Sequence, residues 1–147
     1  MMKIRKATLK DIPRMFEIIK INNPKYSKKL AFQELNEMFS DSLLKPTYIV
    51  VEDKGKIVAF NGYIRSWVDN LIVNLFWLNT HPNYMNKGIG SKLMNNLIKR
   101  IKDSKEKPRA KIIIISTKIP SFFKRFGFKT IKRKYDKDYD LMGLKLR

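Results

Sequence analysis

The chain has 147 residues, 44% of them hydrophobic and 12% aromatic, which is enough for one domain, 1–147, with a closed core, and its formal net charge is +19. Zero cysteines exclude disulfides, thiolate catalysis and Cys-ligated metal or iron–sulfur centres, and the lone His81 leaves a metal only carboxylates for company, so no intrinsic metal is expected. No 18-residue apolar run occurs and the start, MMKIRKATLKDI, mixes charge into every turn, so neither a membrane span nor a secretory leader can be drawn and a cytoplasmic protein is expected.

Met2 to Ala7 reads as a strand, and Thr8-Leu9-Lys10-Asp11 opens a helix with Thr8 as N-cap and Asp11 placed to reach back as in a capping box. Ile12, Met15, Phe16 and Ile19 continue it at helical spacing, and Asn22-Asn23-Pro24 separates it from a second amphipathic helix over Leu30 to Phe39. From Thr47 the period becomes that of strands. Tyr48 to Glu52 and Lys56 to Ile64 flank Asp53-Lys54-Gly55 as a hairpin, and Leu71 to Leu78 is a strand too apolar on both faces for an outer layer.

A helix from about Lys87 to Lys102 carries the core stripe Ile89, Leu93, Leu97 and Ile101, beside Met94 and Ile98. The strand Lys111 to Ser116, with four consecutive isoleucines, reads as buried on both sides and parallel to the strand before the helix, joined by a right-handed crossover. A short helix at Pro120 to Arg125 and a hairpin of Lys129 to Lys134 with Leu141 to Leu146 complete an α/β architecture: a mixed sheet of about seven strands with helices on both faces. No repeat, low-complexity tract or linker marks a domain boundary.

The stretch HPNYMNKGIGSKLM places Gly88 and Gly90 where a loop turns into a helix. A helix N-terminus exposes unpaired N–H groups and the positive end of the macrodipole, and bare backbone there lets the amides from about Asn86 to Ser91 wrap an oxyanion such as a pyrophosphate. Two glycines so placed also serve tight packing of helix on sheet, and neither the P-loop spacing nor the third glycine of the dinucleotide fingerprint is present.

WLNTHPNYMNKGIGSKLM resembles the acyl-CoA-binding motif of the GNAT superfamily of N-acyltransferases, a strand ending in Val-x-Pro followed by [Gln/Arg]-x-x-Gly-x-[Gly/Ala] at a helix start. IRKATLKDIPRMFEI looks like the family's first strand and helix, and FFKRFGFK like its late helix-to-strand signature, so the resemblance covers nearly the whole chain. It implies a mostly antiparallel GNAT-like sheet with a central splayed parallel pair, and an acetyl-CoA-dependent transfer to a primary amine by direct attack in a ternary complex. It also implies that the pyrophosphate is held by Asn86, Lys87, Gly88, Ile89, Gly90 and Ser91, with Lys92 flanking, and that the backbone of Leu78, Asn79 and Thr80 pairs with the pantetheine arm. Tyr84 is read as packing or a CoA contact.

Three positions depart from the family pattern. The Gln/Arg of the phosphate motif is Met85, the strand glutamate that serves as general base aligns with Asn74, and the tyrosine that protonates the leaving thiolate aligns with Phe123. At pH 7 a lysine-type amine costs about 4.6 kcal/mol to deprotonate, but an α-amine near pKa 8 only about 1.4, so weak base assistance suffices for the second. A transfer dominated by positioning is therefore expected, on a primary amine of a small molecule or on a protein α-amine or lysine, an α-amine or other low-pKa amine being slightly favoured, with Asn74 orienting a water or the acceptor and Ser116 and Thr117 holding a water over the acetyl group. Glu52, Asp69 and His81 are substitute bases with stronger structural readings. The acceptor pocket is expected among segment 9–45, the strands near Phe60 to Trp67 and the last hairpin, walled by Phe39, Tyr63, Trp67, Phe76 and Trp77, with Asp136, Asp138 and Asp140 as solvated turn residues or contacts for a cationic acceptor.

Lysine supplies 24 of the 32 basic residues, scattered along the chain, which fits a solvated surface or a weak association with nucleic acid. Two alternatives stand beside the enzyme: a catalytically weak acyl-CoA sensor, and a basic module associated with nucleic acid or a ribonucleoprotein. Either a monomer or a homodimer is expected.

Overall fold

The computed structural model describes residues 2–147. Seven strands form one sheet in the order β1-β2-β3-β4-β5-β7-β6: β1 Met2–Lys6, β2 Thr47–Asp53, β3 Lys56–Arg65, β4 Ile72–Thr80, β5 Ile112–Thr117, β6 Lys129–Asp136 and β7 Tyr139–Lys145. Every neighbouring pair is antiparallel except β4 and β5, which run parallel in the middle. The helices are α1 Ile12–Asn22, α2 Lys28–Asn36, α3 Ile89–Asp103 and α4 Pro120–Lys124.

Alternation along the strands sends side chains to two cores. Tyr48, Val50 and Phe60 pack with Ile12, Met15, Ile18 and Ile19 of α1 and with Ala31 and Leu35 of α2. On the other face Ile49, Val51, Val58 and Ala59 meet Ile89, Leu93 and Leu97 of α3, and Val73, Leu75, Ile113 and Ile115 meet Met94, Phe123 and Met142. Helices therefore cover both faces, as the sequence predicts.

Local chemistry sets the ends. Asp11 Oδ2 accepts from the Thr8 N–H at 2.8 Å, within a 3-10 turn at Leu9–Asp11 that precedes α1. Lys54 and Gly55 have φ of 52° and 79°, the left-handed pair that a two-residue hairpin loop requires. The second helix begins at Lys28, two residues earlier than its apolar pattern suggests, because Ser27 Oγ accepts from the Leu30 N–H at 3.1 Å; it ends at Asn36, with Glu37–Phe39 as a 3-10 turn. The third begins at Ile89 rather than Lys87, since Gly88 is left-handed. Of the isoleucine run, Ile113 and Ile115 are fully buried while Ile112 and Ile114 are half-buried, so β5 is covered tightly on one face only. No helix is long and apolar enough to cross a membrane, and among the described residues no cluster of His, Asp and Glu could hold a metal.

Candidate active site

The parallel pair separates early. β4 and β5 are in register only at Ile72, Val73 and Asn74 with Ile112, Ile113 and Ile114, and beyond Asn74 the β5-facing edge of β4 has no strand partner. A bulge accompanies the divergence: Phe60 pairs with Asn79 and Gly62 with Phe76, so Asn61 alone faces both Trp77 and Leu78, and Trp77 takes φ 54°. Asn61 is 1% exposed, donates through Nδ2 to the Phe76 carbonyl at 2.5 Å, and leaves its Oδ1 unpartnered. Gly62 is required beside it, because a Cβ there would lie 2.8 Å from ring atoms of both Phe76 and Tyr48.

The divergence opens a cleft of about 1080 Å³, with Leu75, Phe76, Trp77, Leu78, Asn79 and Thr80 along one wall and Ile115, Ser116 and Thr117 along the other. At one end stands the start of α3. Gly88 is its N-cap at φ 77°, Asn86 is also left-handed at φ 62°, and the first helical bond runs from the Lys92 N–H to the Gly88 carbonyl at 3.1 Å. The N–H groups of Ile89, Gly90 and Ser91 are therefore free of intrahelical carbonyls. A Cβ on Gly88 would meet nothing within 4 Å, whereas one on Gly90 would touch the Phe122 ring at 3.6 Å. Gly88 leaves the helix start open, whereas a side chain at Gly90 would make an ordinary contact with Phe122 of α4.

Beside the cradle, Arg125 donates from Nη2 to Ser91 Oγ at 3.2 Å, and its guanidinium carbon lies 5.0 Å and 5.8 Å from the ring centres of Phe122 and Phe126. This places a guanidinium next to the start of α3, the kind of side-chain donor that Met85 lacks. Asn22, Asn23, Asn61, Lys118 and Tyr139 also line the cleft. Asn22 and Asn23 both direct Nδ2 at Asn79 Oδ1, at 3.0 and 3.3 Å, and Asn22 also donates to the Thr80 carbonyl at 2.9 Å, tying the end of α1 to β4.

Most residues predicted for the site converge on this cleft: Leu78, Asn79, Thr80, Tyr84, Met85, Asn86, Gly88, Ile89, Gly90, Ser91, Ser116, Thr117 and Phe123 all line it. Asn74 does not, nor do Lys87 and Lys92. Asn74 precedes the divergence, in register with Ile114, which is why alignment to a catalytic position does not bring it to the cleft. Lys87 Nζ instead lies over the Tyr84 ring, 5.5 Å from its centre. Ser116 Oγ accepts from the Tyr135 hydroxyl at 2.5 Å, and Thr117 Oγ1 from the Ile119 N–H at 2.9 Å.

The substitute bases have structural duties outside the cleft. Glu52 pairs with Arg5 at 2.9 Å, Asp69 Oδ1 accepts from the Leu71 N–H, and His81 Nδ1 accepts from the Asn83 N–H. Of the aromatic walls expected, Phe76 and Trp77 line the cleft while Phe39, Tyr63 and Trp67 do not. Asn61, Arg125, Lys118 and Tyr139 were not singled out by sequence reasoning; only the strand register and the fold of α4 over α3 reveal them.

The cleft contains no Asp, Glu or His. Nearby groups with displaced acidity are phenols: burial and then the Glu34 carboxylate, 2.8 Å away, push Tyr26 up to about 12, and burial raises Tyr63 and Tyr48. None of these can serve as a base near neutrality.

A pyrophosphate fits the donor set at α3, and an extended amide-bearing arm fits the unpaired edge of β4. The comparisons agree. A model of the acetyltransferase (GNAT) domain matches residues 45–130. The fold is similar to the ribosomal-protein-S18-alanine N-acetyltransferase of Escherichia coli (TM-score 0.77, 18% identity, covering 99% of this chain and 94% of that one). It is similar also to an aminoglycoside 6'-N-acetyltransferase in complex with coenzyme A (0.79, 14%, 99% and 97%) and to the PaiA N-acetyltransferase of Thermoplasma acidophilum with coenzyme A (0.72, 18%, 99% and 99%). No curated protein matches by sequence. With its family model spanning 45–130 and its sheet splayed around a helix-start cradle, the chain belongs to the GNAT family of N-acetyltransferases, which use acetyl-CoA.

Proposed function

We propose that this protein, as a single domain over 1–147, acetylates a primary amine of low pKa by direct attack within a ternary complex. The observation that carries the reading is the cleft itself, open along the unpaired edge of β4 and ending in the Gly88 cradle, with neither carboxylate nor imidazole on its walls.

Acetyl-CoA supplies the activated acyl group. The amides of Ile89, Gly90 and Ser91, with the Arg125 guanidinium, neutralise diphosphate charge at the start of α3. N–H groups on the free edge of β4, from the bulge at Trp77 onward, hold the arm and polarise the acyl carbonyl, a preorganised donor set in a cleft whose apolar wall includes Leu75, Ile115 and Phe123. Ser116 and Thr117 already have partners and no base beside them, and no cysteine exists, which supports direct transfer rather than an acyl-enzyme. With no side-chain base lining the cleft, the amine must arrive neutral, which favours an α-amine over a lysine side chain by about 3 kcal/mol at pH 7. That the E. coli neighbour is named for an alanine acceptor is consistent with this.

The test is acetyl transfer from acetyl-CoA to a panel of peptides and small amines across pH. A single ascending limb in kcat/KM that follows the acceptor's own pKa supports the reading; a bell with an enzyme pKa near 6 to 7 sinks it. The same bare walls favour a second reading, an acyl-CoA sensor, which bound CoA without transfer to any amine would select. The exposed basic row Lys129, Lys132, Arg133, Lys134 and Lys137 on and after β6 favours weak nucleic-acid association, testable as binding that falls steeply with salt.

A further inference from the structure

We infer that the acceptor is an amine carrying an anionic group, with Lys118 as its ion partner; the inference rests on the transferase reading above and names the substrate class of that site. The charges on the walls of the cleft are Lys118 and Arg125, both positive. Arg125 is engaged at the start of α3, against Ser91 and beside the rings of Phe122 and Phe126. Lys118 lies on the β5–β7 side of the cleft, one residue past the pairing of Thr117 with Asp140, with Nζ 5.2 Å from the centre of the Tyr139 ring. An ammonium held over an aromatic face by a cation–π contact keeps a defined place while remaining exposed to solvent.

The other polar groups lining the cleft are uncharged. Asn22, Asn23 and Asn79 form one connected set of amides, and Asn61 adds an unpartnered, buried carbonyl oxygen. They can orient an amine or a peptide group but cannot compensate a second positive charge. The carboxylates that might do so are occupied away from the cleft. Asp140, 8% exposed, accepts from the Lys134 N–H at 2.9 Å, Glu34 accepts from Tyr26, and Glu17 pairs with Arg14. Asp136 and Asp138 do not line it either, so the cationic acceptor those three aspartates would suit has no counter-charge here. A polyamine or aminoglycoside would enter a positively charged mouth on a molecule of net charge +19, whereas an acceptor with a carboxylate or phosphate is drawn in and paired.

The experiment uses three amidated peptides that share an N-terminal alanine and differ in the second residue (aspartate, asparagine or lysine), with spermidine as a fourth acceptor. Acetyl transfer is measured at low salt and at 0.5 M NaCl, with the wild type and Lys118→Glu. At low salt the wild type should prefer the aspartyl peptide to the lysyl peptide by about tenfold in kcat/KM, with the asparaginyl peptide between and spermidine poorest. Salt should compress the series. Lys118→Glu should lower the aspartyl rate and raise the lysyl rate, each by about three- to fivefold. A wild type that uses the lysyl peptide or spermidine as well as the aspartyl peptide overturns the inference, and so does a Lys118→Glu protein that slows all three peptides alike. If acetyl-CoA raises the melting temperature but no acceptor is acetylated, the transferase reading itself fails and takes this one with it.

Discussion

The side-chain amide of Asn61 on β3 is bonded to the main-chain carbonyl of Phe76 on β4, across the one place where the two strands fall out of register. The bulge takes that carbonyl out of the ladder, and a buried carbonyl without a donor is costly, so Asn61 holds the bulge that separates β4 from β5. Asn61→Asp replaces the donor with an acceptor. It should cost about 1–3 kcal/mol in urea unfolding and lower kcat/KM beyond what the remaining folded fraction explains, because the edge donors shift with the bulge. Unchanged stability and activity would show that the bulge holds itself.

Gly88 and Gly90 should respond differently although they look alike in the sequence. Gly88→Val forces a β-branched residue to φ 77°, costing about 1–2 kcal/mol of stability, and puts a side chain into the open cradle, so acetyl-CoA affinity measured by calorimetry should fall by about tenfold or more. Gly90→Ala meets only an ordinary contact with Phe122 at 3.6 Å and gains helix propensity, so the protein should be as stable as the wild type or more so.

Arg125→Gln should weaken CoA by about three- to tenfold while sparing a pantetheine fragment that lacks the diphosphate, since the guanidinium stands beside Ser91 at the cradle. Asn74→Ala should leave kcat/KM within about twofold, because that residue lies where β4 and β5 are still paired and does not line the cleft. A large loss with Asn74→Ala would restore it to the chemistry.

The first strand is tied to the first helix by an ion pair whose acid response has a definite sign. Burial alone would raise the pKa of Asp11, but bonds from the Arg5 guanidinium at 2.7 Å and from the Thr8 N–H outweigh it and hold the carboxyl below its ordinary value of 3.8. A lowered folded-state value means stabilisation that is complete above the unfolded value and lost as pH falls through the folded one. Thermal unfolding should therefore show Asp11→Asn about 2 kcal/mol less stable at pH 7, with the gap to wild type closing below about pH 4. A gap that persists unchanged at pH 2 would assign the cost to packing.

Periodicity and turn chemistry, both local, were enough to reveal each strand and helix, the alternation of cores and the glycine cradle. Ser27, Gly55 and the stripe from Ile89 to Ile101 act on neighbours a few residues away, so their meaning can be read in order along the chain. The resemblance of HPNYMNKGIGSKLM to a CoA-binding motif extended that reading to the donor. It did not extend to Asn74, whose alignment to a catalytic position places it on the right strand but short of the divergence.

What only the tertiary structure decided is the content of the cleft. Asn61 matters because a register shift between β3 and β4 sets it opposite Trp77 and Leu78; Arg125 because α4 folds over the start of α3; Lys118 and Tyr139 because β7 returns beside β5. Elements and the helix-start cradle follow from interactions over a few residues, which the amino-acid order contains directly. Residues 22, 61, 118 and 139 of the cleft lie far apart in the chain, and only the packing of α1 on the sheet and the return of β7 beside β5 bring them to one cavity.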